Sequence, residues 1–322
     1  MGRVLLRRLL YSAPVLLVAS FLLFWMVRTA FDPTARLRFS RDPTVVEHER
    51  ERLGLDDSIF TQYRIWLRDF VTGDWGESSR TSEPVNDVIP RAMGNTMQLV
   101  FWGILLSAVI AIGIGLVSAL KHHSPSDYTF TGLAYIGVSM PPFWFGLIAI
   151  HFLAVQPQRW FGLSDPPLRF VGLHSTGSSG FNWDYVTHLI LPVMTLSIQL
   201  VASWTRFQRA STLDVLSSDY IRTARAKGVP RRRLIVRHAL RNSLIPLVTV
   251  MAVDSAQLFG GLVITETIFS IPGMGRLFIS SLLQGDIAVL EAWMIVVACF
   301  VLSFNLLADL AYGVLDPRIR TR

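Results

Sequence analysis

Six long apolar runs decide most of what this 322-residue chain can fold into; they occupy residues 9–27, 97–120, 132–155, 188–205, 244–265 and 292–311. Each approaches the roughly 20 residues that a helix needs to cross the hydrocarbon core of a bilayer. Hydrocarbon offers no water to bond backbone groups, so the runs predict helices. Composition agrees: 51% of residues are hydrophobic and 16% charged, where a soluble domain carries about a quarter charged residues. The chain therefore reads as an all-α integral membrane protein with six transmembrane helices. The first run follows Arg3, Arg7 and Arg8, as a signal peptide would. At about 19 apolar residues it exceeds the apolar stretch of a signal sequence, and it reads as a retained helix. The single cysteine, Cys299, excludes an intrachain disulfide.

Charge sets the direction of the spans. With the N-terminus inside, residues 1–8, 121–131, 206–243 and 312–322 face the cytoplasm and hold 17 basic residues. They hold four acids: Asp127, Asp214, Asp219 and Asp316. The outer segments, 28–96, 156–187 and 266–291, hold 13 basic and 17 acidic residues. The excess of positive charge on cytoplasmic loops places both termini in the cytoplasm. It also accounts for most of the net charge of +7, which leaves no part for nucleic acid.

Two loops carry structure of their own. Between the first two spans, VVEHERERLGL has helical charge spacing, and the turn-rich GDWGES follows it. This predicts a small folded extracytoplasmic insert. On the other side lies SSDYIRTARAKGVPRRRLIVRHALRNSLIP. Ser217, Ser218 and Asp219 suit a helix start. Gly228 suits the left-handed residue that closes a helix, and Pro230 prevents continuation. A second helical stretch begins at Arg231 and leads into the fifth span. A basic loop held inside by topology would explain the charge. It would not explain a short helix of small residues with a glycine stop, which is the form of a rigid lever.

Catalytic chemistry finds no footing. A phosphate-binding loop needs Gly-Lys-Ser/Thr, whereas Lys121 follows Leu120 and Lys227 follows Ala226. The seven histidines show no metal-ligand spacing. Pro141-Pro142 predicts a kink in the third span. The segment from Phe269 to Gly275 reads as a rigid outer turn.

The loop resembles one found in permeases of ABC importers, which carry E-A-A-x-x-x-G and, nine residues on, I-x-L-P. Ala224 and Gly228 keep that pattern, while Arg222, Thr223 and Arg241 depart from it. DYIRTARAKG followed by RHALRN-x-LIP is closer to the dipeptide and oligopeptide branch, first-permease type. ERLGLDDSIFTQY, GDWGES, SMPPFWFGL, HLILPVMTL, ETIFSIPGMGRL and DLAYGVLDPRIR resemble that branch in the same order and cover nearly the whole chain.

The resemblance implies a type I ABC importer permease fold in a bacterial inner membrane. It divides the chain into an N-terminal transmembrane helix (1–28), the insert (29–95), a five-helix core (96–312) with its cytoplasmic coupling loop (206–243), and a cytoplasmic tail (313–322). The implied partners are a second homologous permease, two cytoplasmic ATPase subunits that bind ATP and magnesium, an extracytoplasmic peptide-binding protein, membrane lipid and a peptide substrate. No cofactor or metal is expected in this chain, nor catalysis by it.

The implied ATPase coupling helix contains Asp219, Tyr220, Arg222, Thr223, Ala224, Arg225, Lys227 and Gly228. Asp219 would cap it, Tyr220 and Ala224 would face a groove of the ATPase, and Arg222 and Arg225 would pair with acids there. Asp254, Gln257 and Gln199 are candidates for the translocation pathway, with His151 and Asn305 weaker. A mid-membrane carboxylate is costly and must face the bundle interior or water. Asp254 has two readings: a group that meets the amino end of a passing peptide, or an interhelix contact to Gln257 or the second permease. Phe269, Pro272 and Gly273 are candidates for an outer gate or a contact with the binding protein. Nickel or glutathione is an alternative cargo. A channel or secondary transporter is the alternative of another class, and predicts uptake by this chain alone.

Overall fold

The computed structural model describes residues 2–32, 43–52, 54–258 and 262–315. The expected tail beyond residue 315, parts of the insert (33–42 and 53) and residues 259–261 of the fifth run lie outside the described residues. In chain order the helices are α1 (Gly2–Ala30), α2 (Pro43–Arg52), α3 (Ile59–Thr72), α4 (Val85–Leu120), α5 (Pro125–Ser139) and α6 (Pro142–Ile150). α6 passes through a π-helical segment, His151–Val155, into α7 (Gln156–Trp160). Then come α8 (Trp183–Ser217), α9 (Asp219–Ala226) and α10 (Arg231–Arg233). A second π-helical segment, Leu234–Leu240, leads into α11 (Arg241–Leu258), and α12 (Val263–Ile268), α13 (Met274–Gln284) and α14 (Ile287–Leu315) follow.

Among the described residues, five helical stretches are long and apolar enough to cross a membrane: Leu10–Ala30, Val85–Leu120, Trp183–Ser217, Arg231–Ser255 and Ile287–Leu306. A sixth exists when Pro125–Ser139 and Pro142–Trp160, bent by 102°, are taken as one broken span. The expected kink in the third span is thus a full break. A residue before proline is pushed out of the α region, and here two prolines stand in tandem. Met140 (ψ 121°) and Pro141 (ψ 132°) are both extended, and Pro142 then opens α6. The helix of the fifth span begins at Arg231, where the second helical stretch of the loop was expected to start and lead into it.

The chain divides into two compact units. The first takes in the residues up to Thr96 together with Pro272–Leu306. In it, α3 runs along α1: Tyr63 bonds Ser20 at 2.6 Å, Phe60 stacks on Phe21 at 5.0 Å, and Trp66 meets Phe24 at 5.2 Å. Tyr63, Trp66 and Phe70 recur at helical spacing, so one face of α3 is aromatic. The segment expected to form an extracytoplasmic insert thus lies, through α3, beside the middle of α1. Arg28 Nε donates to Glu291 Oε1 at 2.7 Å, pairing α1 with α14. Val85, Ile89 and Ala92 pack with Met274, Val289 and Ala292. The GDWGES turn is pinned to the foot of α14, where Ser78 Oγ donates to Asp286 at 2.6 Å.

The second unit takes in Met97–Leu258 and Ile264–Ile271, with α8 at its centre. Without a hydrophobic drive between helices in lipid, close approach depends on small residues. A side-chain carbon at Gly115 would stand 2.7 Å from Gln208 Cβ and 2.9 Å from the Thr205 carbonyl. One at Gly137 would stand 2.9 Å from Ala202 Cβ. α4 and α5 thus press directly onto α8.

Candidate functional site

α9 is eight residues long and stands between α8 and the fifth span. Ser218 is extended (ψ 151°), and its hydroxyl donates back to the Val215 carbonyl at 2.5 Å. Asp219, expected as the cap, is instead the first helical residue. At that position its carboxylate still favours the positive end of the helix. The helix ends where glycine was expected to end it. Gly228 has φ +73°; its N–H donates to the Arg225 carbonyl at 3.1 Å, and the Val229 N–H donates to the Ala224 carbonyl at 3.2 Å. That pair of bonds is a Schellman stop, and only the residue at the left-handed position is constrained by it. Open space surrounds Gly228, so sterics there come from the backbone and not from neighbours.

One face of α9 is anchored to this chain. Ile221 is fully buried with Leu234 and Ala239, and Val215, Leu216, Ala224 and Val229 pack against them. Ala224, expected to face a partner, packs inward. The reason is helical spacing, because Ile221 and Ala224 are three apart and share a face. The opposite face presents Asp219, Tyr220, Arg222, Thr223, Arg225 and Lys227, all exposed, as is Gly228. Arg222 lies 3.6 Å from Asp219, but both are so exposed that the pair adds little stability. Tyr220 combines exposure with a tie, for its hydroxyl accepts from Asn242 Nδ2 at 3.0 Å in the first turn of α11. The result is a short polar helix fastened at its start, its inner face and its stop.

The pathway candidates are held by different elements. Asp254 Oδ2 on α11 accepts from Trp204 Nε1 on α8 at 2.7 Å. Trp204 is fully buried with Ala111 and Leu247. Sequence reading missed this partner and offered Gln257 or the second permease; Gln257 is exposed on α11. The signal was available, since a tryptophan buried in a span needs an acceptor for its indole N–H. Gln199 on α8 donates to the Met140 carbonyl at 3.3 Å, serving the break between α5 and α6. His151 opens the π-helical segment after α6, and Asn305 is exposed on α14. Sequence reading also passed over an ion pair of the buried Asp127 on α5 with the half-buried Arg209 on α8, at 2.7 Å.

The outer candidates separate. Phe269 is fully buried, and its carbonyl accepts from the Gly172 N–H at 2.8 Å. It anchors a loop of the second unit and presents no outward face. In the first unit Pro272 is exposed, with its carbonyl accepting from Asn95 Nδ2 at 2.9 Å. Gly273 is buried beside the Met274 N–H, which donates to Thr96 Oγ1 at 2.8 Å. Of the three, Pro272 alone is available to a partner.

Comparison with known proteins identifies the family. The profile of the family described as binding-protein-dependent transport system inner membrane component matches residues 111–321. The profile of its N-terminal membrane component matches residues 1–99. The oligopeptide transport system permease protein AppB of Bacillus subtilis is 38% identical over 325 residues, covering 99% of each chain. The dipeptide transport system permease protein DppB of Escherichia coli K12 is 35% identical over 333 residues, covering 98% of each. Among solved structures, a chain of the inward-facing MetNI methionine ABC transporter aligns with a TM-score of 0.57 at 16% identity. The alignment covers 73% of this chain and all of that one, and the likeness is one of fold.

Proposed function

The chain belongs to the family of inner membrane components of binding-protein-dependent transport systems, and from that premise we propose that it is the permease subunit of an ATP-driven importer of dipeptides or oligopeptides. It forms half of the translocation pathway, and a second homologous permease forms the other half. Two cytoplasmic ATPase subunits bind ATP and magnesium, and an extracytoplasmic binding protein delivers the peptide. Relatives named for oligopeptide and dipeptide transport support this cargo. The charge distribution supports cytoplasmic termini in a bacterial inner membrane. The division into helix 1–28, insert 29–95, core 96–312 with coupling loop 206–243, and tail 313–322 rests on the resemblance to the dipeptide and oligopeptide branch.

The observation that carries the reading is α9. Its polar face is exposed while its apolar face is fixed to the ends of two spanning helices. A partner gripping Tyr220, Arg222, Thr223, Arg225 and Lys227 would move both spans with it, because the helix cannot swivel on its seat. Arg222 and Arg225 then pair with acids of the ATPase. Asp254 acts as an interhelix contact through Trp204, and Gln199 steadies the broken span. Pro272 is the outer residue left for the binding protein or an outer gate.

The test is uptake of a labelled dipeptide into vesicles holding this chain and the second permease, with and without the ATPase subunits and binding protein. Uptake is expected only with the full set and ATP. Ion-gradient-driven uptake by this chain alone would replace the reading with a secondary transporter. Uptake of nickel or glutathione in place of the dipeptide would change the cargo and keep the mechanism.

A further inference from the structure

The cytoplasmic ends of α4, α5 and α8 meet at one buried carboxylate. Asp127 stands in the first turn of α5 and is 1% exposed. Its Oδ1 accepts from Arg209 Nε at 2.7 Å, and its Oδ2 from an Nη of Arg209 at 2.8 Å. The His123 N–H donates to Oδ2 at 3.0 Å, and Ser118 Oγ, on the last turn of α4, donates to Oδ1. Four donors from three segments saturate the group. The two parallel bonds to one guanidinium add a fixed geometry to the packing of α5 on α8.

The pair is one of several polar grips that α8 has on α5, for the Arg206 guanidinium also lies over the Tyr135 ring at 4.6 Å. Arg209 holds the start of α5, and Gln199 holds the Met140 carbonyl at its end, where the chain breaks towards α6. Between these grips Gly137 admits α5 to direct contact with Ala202. The neighbouring turn of α8 is stitched to α11 in the same way. Gln208 Nε2, fully buried, donates to Ser243 Oγ at 2.9 Å, and Ser211 Oγ donates to the Ser243 carbonyl at 2.9 Å. A short way on, α8 ends at Ser217 and α9 begins. Stability alone is a weak reason for an ion pair whose carboxylate is buried and whose guanidinium is half-buried, since well-packed apolar residues often serve as well. Direction is a better one, because the pair fixes α5 to the rod that carries α9.

We propose that Asp127 and Arg209 form a positioning joint that carries displacement of α9, through α8, to the α4–α5 hairpin and so to the break at Met140. The joint rests on the reading of this chain as the permease of an ATP-driven importer. Neither residue touches cargo or ATPase in this account, and each acts through α5.

The experiment uses the complete complex in proteoliposomes and reads labelled dipeptide transported per ATP hydrolysed. Asp127→Asn, Arg209→Gln and the double variant are compared with wild type. Each single variant is expected to hydrolyse ATP within about twofold of wild type while transport per ATP falls about tenfold. The double variant is expected to be no worse than either single one, as for two halves of one contact. Unchanged transport per ATP, or additive losses in the double variant, would overturn the joint. A parallel fall in transport, hydrolysis and melting temperature would also overturn it, reducing the pair to a structural lock. Where Asp127→Asn lowers recovery of the complex, Arg209→Lys keeps the charge without the two-toothed contact and is read by the same ratio. Absence of ATP-dependent uptake in the wild type would instead sink the functional reading itself.

Discussion

Gly228 and Asp254 show how far a single residue could be read before any contact was known. The glycine stop was legible because a left-handed position leaves a mark in sequence, and the observed φ of +73° agrees. What the structure adds is the open space around it. Bulk alone is therefore no obstacle, and β-branching is. Gly228→Asn should preserve uptake within about twofold, since asparagine tolerates the left-handed region. Gly228→Val should strain the stop by roughly 1–2 kcal/mol and cut dipeptide uptake per ATP several-fold in reconstituted vesicles. Asp254 was legible as unusual, but its partner was not, because Trp204 lies fifty residues away on another helix. Asp254→Asn retains an oxygen for the indole and should keep uptake near wild type. Asp254→Leu strands a buried N–H and should lower thermal stability in detergent, at a cost of about 1–3 kcal/mol. Loss of uptake in the asparagine variant would restore the carboxylate to the pathway.

At the scale of elements, apolar length located the helices, and local chemistry located their ends only in part. The charge spacing of the insert placed α2 correctly. The tandem prolines announced a disturbance, yet a 102° break follows from two successive extended residues, Met140 and Pro141, which only backbone geometry displays. The coupling helix was placed at residues 219–228, and α9 covers Asp219–Ala226. Its inward face was misread because the seat for Ala224 is built by Leu234 and Ala239, beyond the turn. Helix pairing was invisible in sequence, since a glycine in an apolar run does not name its neighbour. Gly115 faces Gln208 and Thr205 of α8 at contact distance. Gly115→Val should force α4 away from α8 and reduce recovery of folded protein on gel filtration. Gly113→Val, with open space around it, should not.

For the whole molecule, topology is the claim most open to a direct check. With Cys299 replaced by serine, single cysteines at residue 4 and residue 320 should react with a membrane-impermeant maleimide only after the inner face is exposed. A cysteine at residue 79 should react from outside in intact cells. Labelling of residue 320 from outside would invert the assignment and place α9 on the wrong side for an ATPase. The type I importer permease fold and the family were within reach of the sequence. The spanning helices, the proposed direction and the proposed coupling loop all rest on interactions that composition and local order express: apolar length against bilayer thickness, basic residues against the cytoplasmic face, a glycine at a left-handed turn. The tertiary structure alone decided which helices touch. It seated α9 on the chain's own apolar cluster, gave Asp254 to Trp204, laid α3 along α1, and brought Arg209 to Asp127 from 82 positions away. Those pairings depend on helix rotation and close packing between segments distant in sequence, and no local preference of the chain encodes them.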